Sequence, residues 1–343
     1  MITRQRIASY GIPTAAAATI VTAALLTQGR PAETPKPLPL VIEQTGEGSQ
    51  IDVVFAVDTT GSMGGLLDGA KRTVWSIATH IRKTDPNANL RIGLVAYKDI
   101  GDDYVTRPFS LTTDLDAVFT ELSAYRASGG GDTPENVDAA LDDTLHKMQW
   151  RAGAKKLVFL VGDAPPASRG DVPTFDELAR EASRKGITIN TIRCGTDHNT
   201  AQSFQRIASI AGGEFSSIVQ DGGVQQIATP YDTKMAELSA RIDSTSIIVG
   251  DEGARRRYKA KMAAAEAAPA PAKADRGAYY ASKPGALNRA DDDLVGGVAT
   301  GSMSLDAVAP EALPEDLRGK DKAELKAEVE KRVEDRKQAQ KEM

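Results

Sequence analysis

An α/β fold with a doubly wound, mostly parallel sheet flanked by helices is predicted by three observations. Short unbroken apolar runs, Val53 to Val57 and Leu157 to Val161 above all, have the pattern of parallel strands covered on both faces. Longer stretches lie between such runs, with apolar residues at three- and four-residue steps, as in Leu67, Ala70, Val74, Ile77, Ala78 and Ile81. The two strongest runs each stop at an aspartate, Asp58 and Asp163. The carboxyl ends of strands are where open α/β sheets bind ligands.

The elements follow in order. The first strand ends at Asp58, and Leu66 to Lys83 reads as a helix. Asn89 to Tyr97 is a second strand, carried by Leu90, Ile92, Leu94 and Val95. Val105 to Leu111 is shorter and more polar, which suits a sheet edge. Leu115 to Tyr125 is helical, with Val118, Leu122 and Tyr125 on one face. A glycine-rich run, Ser128 to Glu135, then precedes a helix from Glu135 to Met148. Lys156 to Gly162 is a core strand, Phe175 to Arg184 a helix and Ile187 to Ile192 a strand. Thr200 to Ala211 is helical, Glu214 to Ile218 a short strand, and Val224 to Ile242 a long final helix interrupted at Pro230. Strands alternating with helices of this length imply parallel pairing and two covered faces.

Composition shifts beyond Ser244. The segment 244–313 contains an Ala-, Pro- and Lys-rich run from Ala260 to Ala274 and no sustained period after it, so it reads as a flexible linker. The segment 314–343 is dense in Glu, Lys and Arg. It carries a thin apolar line, Leu325, Val329 and Val333, and a Glu328–Arg332 pair at helical spacing. The expectation is a solvated helix that docks on a partner, after a largely disordered tail.

The opening strand runs into D-T-T-G-S-M, residues 58 to 63. Asp58, Thr60 and Ser62 fall at alternate positions, so in an extended backbone a carboxylate and two hydroxyls project to one side. Taken alone, such a run also fits an Asx-turn or a helix cap. Oxygen donors of this kind suit a hard divalent cation such as Mg²⁺, which keeps several of its waters. Thr133 stands in G-G-G-D-T-P-E and also fits a helix N-cap before proline. Asp163 directly follows the strongest apolar strand.

Together these three loops resemble the metal-ion-dependent adhesion site of von Willebrand factor type A domains, whose first motif is D-x-S-x-S. Thr60 stands here in place of the first serine and keeps the hydroxyl. The resemblance covers Gln50 to Asp243 and looks closest to bacterial and stand-alone members. It implies a Rossmann-like sheet with Mg²⁺ or Mn²⁺ held by Asp58, Thr60, Ser62, Thr133 and Asp163. It further implies hydroxyls bound to the metal, acids acting mainly through water, and an open position for a carboxylate of a partner protein. Asp132 sits beside these residues in the sequence and could add charge there. The later T-G-S-M at Thr300 to Met303 has Val298 where the acid belongs and no strand before it, and reads as a chance echo.

The remaining composition limits other readings. The 343 residues suffice for one or two domains, and 41% hydrophobic content supports an ordinary core. A formal charge of −5 with dispersed cations argues against a nucleic-acid binder. The cluster Arg255 to Arg257 with Lys259 and Lys261 reads as a solvated face. Cys194 is the only cysteine, which excludes an intrachain disulfide and a zinc pattern. His80, His146 and His198 form no H-E-x-x-H, and Ser62 lacks the G-x-S-x-G elbow, so no enzyme is expected. An accessory subunit of a chelatase- or ATPase-type complex, or an envelope enzyme of unknown chemistry, are the alternatives.

Arg4 and Arg6 precede an apolar run that stays uncharged until Arg30. Residues 1–30 therefore read as a cleaved signal or a signal-anchor, the second attaching the chain to a membrane. Either exports the rest of the chain to a periplasmic or surface location. A proline-rich tether over 31–49 leads to the domain at 50–243.

Overall fold

The computed structural model describes residues 49–343 except 86, 132, 170, 219–229, 269 and 283–288. The expected export segment, nearly all of the expected tether, Asp132 and the first part of the expected final helix lie outside the described residues. No helix among the described residues is long and apolar enough to cross a membrane.

Strands β1 (Gln50–Asp58), β2 (Asn89–Tyr97), β3 (Thr106–Thr112), β4 (Lys155–Gly162), β5 (Ile187–Cys194) and β6 (Phe215–Ile218) form one sheet in the order β3-β2-β1-β4-β5-β6. All neighbours are parallel except β3, which pairs antiparallel with β2 at one edge. β3 is the short polar strand, and an edge needs only one buried face. Helices α1 (Leu67–Thr84), α2 (Leu115–Ala124), α3 (Val137–His146), α4 (Phe175–Arg184) and α5 (His198–Ile210) connect and cover the strands, and α6 (Pro230–Ser244) follows β6.

The unbroken apolar run of β1 is divided between two cores. Ile51, Val53, Phe55 and Val57 pack with α1 and α2, where Phe55 stacks on Phe159 at 5.2 Å. Val54 and Ala56 pack with α3, α4 and α5. A strand alternates its side chains between faces, so a central strand must be apolar at both parities. Register then places the site. Asp58 lies opposite Tyr97, and Val57 opposite Val161, so the ends of β1, β2 and β4 come together.

The expected flexible linker over 244–313 is corrected. Its described part contains α7 (Glu252–Ala267), α8 (Ala270–Ser282) and α9 (Leu294–Thr300). Beyond it lie α10 (Glu315–Arg318) and α11 (Lys322–Glu342). Tyr279 and Tyr280 of α8 join the core under α1 and α2. Leu325, Val329 and Val333 of α11 pack with Ile247, Leu294, Val295, Leu313 and Leu317 in a separate small core. The thin apolar line on the last helix is thus covered by this chain itself. The T-G-S-M echo is structural: Gly301 is the left-handed cap of α9 and Met303 lies against Gly297.

Paired charges fasten this layer. Arg276 is 3% exposed and donates through Nε and Nη2 to Asp116 of α2, at 2.7 Å each. Its Nη1 donates to Asp243 at 2.6 Å and to Ser239 at 3.0 Å, both on α6. Tyr280 donates to Asp116 at 2.9 Å. Burial pushes the Asp116 carboxyl up, but the guanidinium outweighs it and holds the group below its ordinary value. Arg336 of α11 pairs with Asp293 where neither side chain is exposed, and donates to Thr245 at 2.7 Å. These partners lie as many as 164 residues apart, so no local period reveals them.

Removing one member of a buried pair leaves the other charged and unpaired, at a cost of about 3–5 kcal/mol. Arg276→Ala is expected to destabilise the protein by that amount in urea unfolding. A chain cut after Ser244 is expected to unfold at a lower temperature still, because it also loses Tyr279 and Tyr280. Unchanged unfolding of either variant would show the layer to be dispensable.

Candidate metal centre

The site is built on the ends of β1 and β4. Asp58 is the last residue of β1 and is fully buried. Its Oδ1 accepts from the Thr60 amide at 2.9 Å and the Thr60 hydroxyl at 2.7 Å. The Thr60 hydroxyl lies 3.2 Å from that of Ser62. Ser62 Oγ donates to Asp163 Oδ1 at 3.0 Å. A continuous chain of oxygens therefore crosses from one strand end to the other. Alternate spacing after β1 sets the first three members, and parallel pairing of β1 with β4 brings in the fourth.

A small residue is required beneath this chain. A Cβ at Gly162 would lie 2.3 Å from the Tyr97 hydroxyl and 3.3 Å from Asp58 Oδ2. Tyr97 is fully buried, and its hydroxyl donates to Val161 O at 3.2 Å rather than to the acids.

Thr133 is exposed on the adjoining glycine-rich loop and makes no hydrogen bond with the other four among the described residues. The loop itself is pinned against the site. Gly61 N donates to Gly129 O at 3.1 Å, and Ser128 N to Thr59 O at 3.1 Å. Gly130 has φ +76°, and a Cβ there would lie 3.0 Å from Thr60 Cβ and 3.2 Å from Glu135 Oε1. Glu135 N donates to Pro165 O at 3.0 Å, and Ala167 N to Glu135 O at 2.8 Å, which joins this loop to the one that carries Asp163. A third loop closes the rim: Asp102 accepts from Gly130 N at 3.0 Å, and Asp99 pairs with Arg169.

The electrostatics are those of too many acids in too little water. Burial pushes Asp58 up to about 7, Thr60 pulls it back, and the charge of Asp163 adds to the rise. Asp163 is raised as well, first by burial. Glu135 is pushed up to about 8 by burial, then by Asp58, Asp99, Asp102 and Asp163. Asp58 Oδ2, Asp99 Oδ1 and Glu135 Oε2 are buried, with no hydrogen-bond partner of normal geometry among the described residues. Cys194, the lone cysteine at the end of β5, is buried and pushed up to about 12, so it is an inert packing group.

This donor set fits a divalent cation. Hydroxyls and carboxylates are hard oxygen donors, and an orphaned buried carboxylate oxygen is the kind of atom a cation satisfies. His, Cys, Asp and Glu by themselves form no metal-binding group among the described residues, so the hydroxyls of Thr60 and Ser62 are indispensable to the fit. Sequence reasoning missed Glu135, Tyr97 and Gly162. Glu135 stands in G-G-G-D-T-P-E two residues after Thr133, and an acid directly after Pro134 was its only local signal.

The von Willebrand factor type A domain family matches residues 52–230, and the chain belongs to that family. Domains of this family generally mediate protein–protein interaction. A putative ariadne-like RING finger protein of Acanthamoeba polyphaga mimivirus is 30% identical over 131 residues, 38% of this chain and 12% of that protein. The alpha-protein kinase vwkA of Dictyostelium discoideum is 29% identical over 118 residues, 34% of this chain and 18% of that protein. The von Willebrand factor A domain-containing protein 7 of Mus musculus is 27% identical over 194 residues, 54% of this chain and 21% of that protein. The chain therefore spans at most about a fifth of these relatives' lengths. Among solved structures, BatB from Bacteroides thetaiotaomicron aligns at TM-score 0.40 and 13% identity, over 63% of this chain and all of that one. The proximal thread matrix protein 1 of the mussel byssus, solved with a zinc-occupied MIDAS motif, aligns at TM-score 0.42 and 18% identity, over 51% of this chain and 43% of that one.

The raised carboxyls set a pH dependence for the chelated protein. Folded Asp58 and Glu135 keep protons up to about 7 and about 8, whereas the unfolded chain releases them in the ordinary carboxylate range. The folded state then binds more protons than the unfolded one above about pH 4, so stability falls as pH rises from there to about 8. Urea unfolding in chelator is expected to give a lower midpoint at pH ~8 than at pH ~5, and Asp58→Asn to flatten the slope. A profile that rises across this window would show both groups to be ionised in the folded protein.

Proposed function

We propose that this chain is an exported, non-enzymatic protein-binding module that uses a divalent cation, Mg²⁺ or Mn²⁺, to engage an acidic side chain of a partner protein. The observation that carries this reading is the oxygen chain Asp58–Thr60–Ser62–Asp163 with its orphaned Asp58 Oδ2. Asp58, Thr60, Ser62 and Asp163 would hold the cation, with Thr133 joining from the pinned loop. When bound, the cation supplies an electrophilic position for an outside carboxylate.

The chain's own residues do the rest. Asp58 and Thr60 are buried and hold the inner side rigid. Ser62, Gly129, Gly131 and Thr133 are exposed and leave the outer side open and small, so a partner can approach closely. With Asp58 and Asp163 acting through water, the neutral hydroxyls would leave the cation's direct shell uncharged, which favours a carboxylate over a neutral group. Arg4 and Arg6 ahead of the apolar run support export, and a signal-anchor there would attach the module to a membrane.

Mg²⁺ at about a hundred times its dissociation constant is expected to stabilise the protein by about 2.7 kcal/mol. Asp58→Ala and Ser62→Ala are expected to abolish that gain. An identical gain in the Asp58→Ala variant would place the metal elsewhere. A partner captured from the envelope is expected to be released by chelator and to lose binding when its contacting Asp or Glu becomes Ala.

An enzyme reporter fused after Asp243 is expected to act only outside the cytoplasm. Activity confined to the cytoplasm would overturn the export part alone.

A further inference from the structure

We propose that Lys98 is a positioning residue of the cation site: it holds the glycine-rich loop against the 59–62 turn and so fixes the directions of Thr60 and Ser62. The inference rests on the metal-binding reading above and adds to it a residue that touches no metal.

Lys98 directly follows β2, and its side chain is 1% exposed. Its Nζ donates to Asp103 Oδ1 at 2.6 Å and to Ser128 Oγ at 2.8 Å, and lies 4.8 Å from the centre of the Tyr104 ring. An ammonium has three N–H donors and no acceptor, and two oxygens with a ring face satisfy it. Asp103, however, is 67% exposed. A pair with an exposed carboxylate forms as well at the surface, where neither charge loses its water. The Asp103 pair therefore does not account for the burial of Lys98. What burial adds is the reach from the end of β2 to Ser128, on a different loop.

Ser128 passes this hold to the site. Its amide donates to Thr59 O at 3.1 Å, and Gly129 O accepts from Gly61 N at 3.1 Å. Thr59 and Gly61 flank Thr60, so the glycine-rich loop clamps the backbone on both sides of that residue. The same knot is closed from behind. Thr59 Oγ1 donates to Tyr97 O at 3.0 Å and lies 2.7 Å from the Tyr104 hydroxyl, and Lys98 N donates to Val105 O at 2.9 Å. Ser128 and Gly129 are exposed, whereas Lys98 is buried at a strand end. The lysine is thus the anchor, and the loop is what it holds.

Charge and position predict opposite outcomes when this lysine is removed. Loss of a positive charge by itself tightens the binding of a cation, because like charges repel. Loss of an anchor weakens binding, because Thr60 and Ser62 must then be ordered when the metal arrives.

The test is calorimetric titration of the full chain with Mn²⁺, with thermal unfolding in chelator beside it. Lys98→Met keeps an unbranched apolar stem and leaves only the exposed Asp103 without its partner. Its Mn²⁺ dissociation constant is expected to rise about tenfold, the worth of one hydrogen bond to a charged group. Ser128→Ala is expected to weaken binding in the same direction, and Lys98→Met to add little in Ser128→Ala protein, because both remove one bond. Equal or tighter Mn²⁺ binding by Lys98→Met would overturn the proposal, whether or not its unfolding temperature falls, and make Lys98 a packing residue. The full effect of Lys98→Met persisting in Ser128→Ala protein would overturn it too, since the lysine would not act through Ser128. If Lys98→Met does not fold, Ser128→Ala decides by its affinity. Absence of Mn²⁺ binding by wild type would overturn the metal reading itself, and this role with it.

Discussion

The burial of like-charged carboxylates at the carboxyl edge of the central strands is the constraint on which this molecule depends. Asp58 ends the most buried strand, and Asp163 and Glu135 are brought toward it by loops that are hydrogen-bonded to one another. Water can offset such crowding only where it has access, and Asp58 and Glu135 have almost none. Protonation relieves the crowding at low pH, and a bound divalent cation would relieve it at neutral pH. The flanking structure follows from that need. Gly162 removes a side chain that would collide with Tyr97 beneath Asp58, and Gly130 lets the second loop close against Thr60.

Rigidity of the site comes from its loops rather than from its ligands. The 59–62 turn is bonded to the 128–130 loop, that loop to Asp102, and Glu135 to the 165–167 segment. Ser62–Asp163 and Asp99–Arg169 complete the set, so that the four loops form a closed ring of mutual bonds. A ring of this kind costs its ordering entropy once, during folding, and leaves little to lose when a ligand arrives.

A second set of buried charges sits among the helices. Arg276 joins Asp116 of α2 to Asp243 of α6, and Arg336 meets Asp293 beneath α11. Here each acid has a fixed guanidinium, and Asp116 lies below its ordinary carboxyl value where Asp58 lies far above. The contrast separates the two roles. Acids with built-in cations hold the fold together, and acids without them are available to a ligand.

Periodicity and punctuation in the sequence determined the sheet and its site. Apolar runs marked the central strands, the polar Thr106–Thr112 segment marked the edge, and Asp58, Thr60, Ser62 and Asp163 stood at strand ends where alternation and topology make side chains converge. The tertiary structure alone decided two things. It placed Glu135 against Thr60, because that proximity runs through a glycine with positive φ and a loop pairing that leave no periodic trace. It also folded the segment after Ser244, because Ala-rich helices with few apolar groups owe their positions to Arg276, Tyr279, Tyr280 and Arg336, whose partners stand far off in the chain. Local pattern reports what a segment can form, and long-range pairing of buried charge decides where it rests.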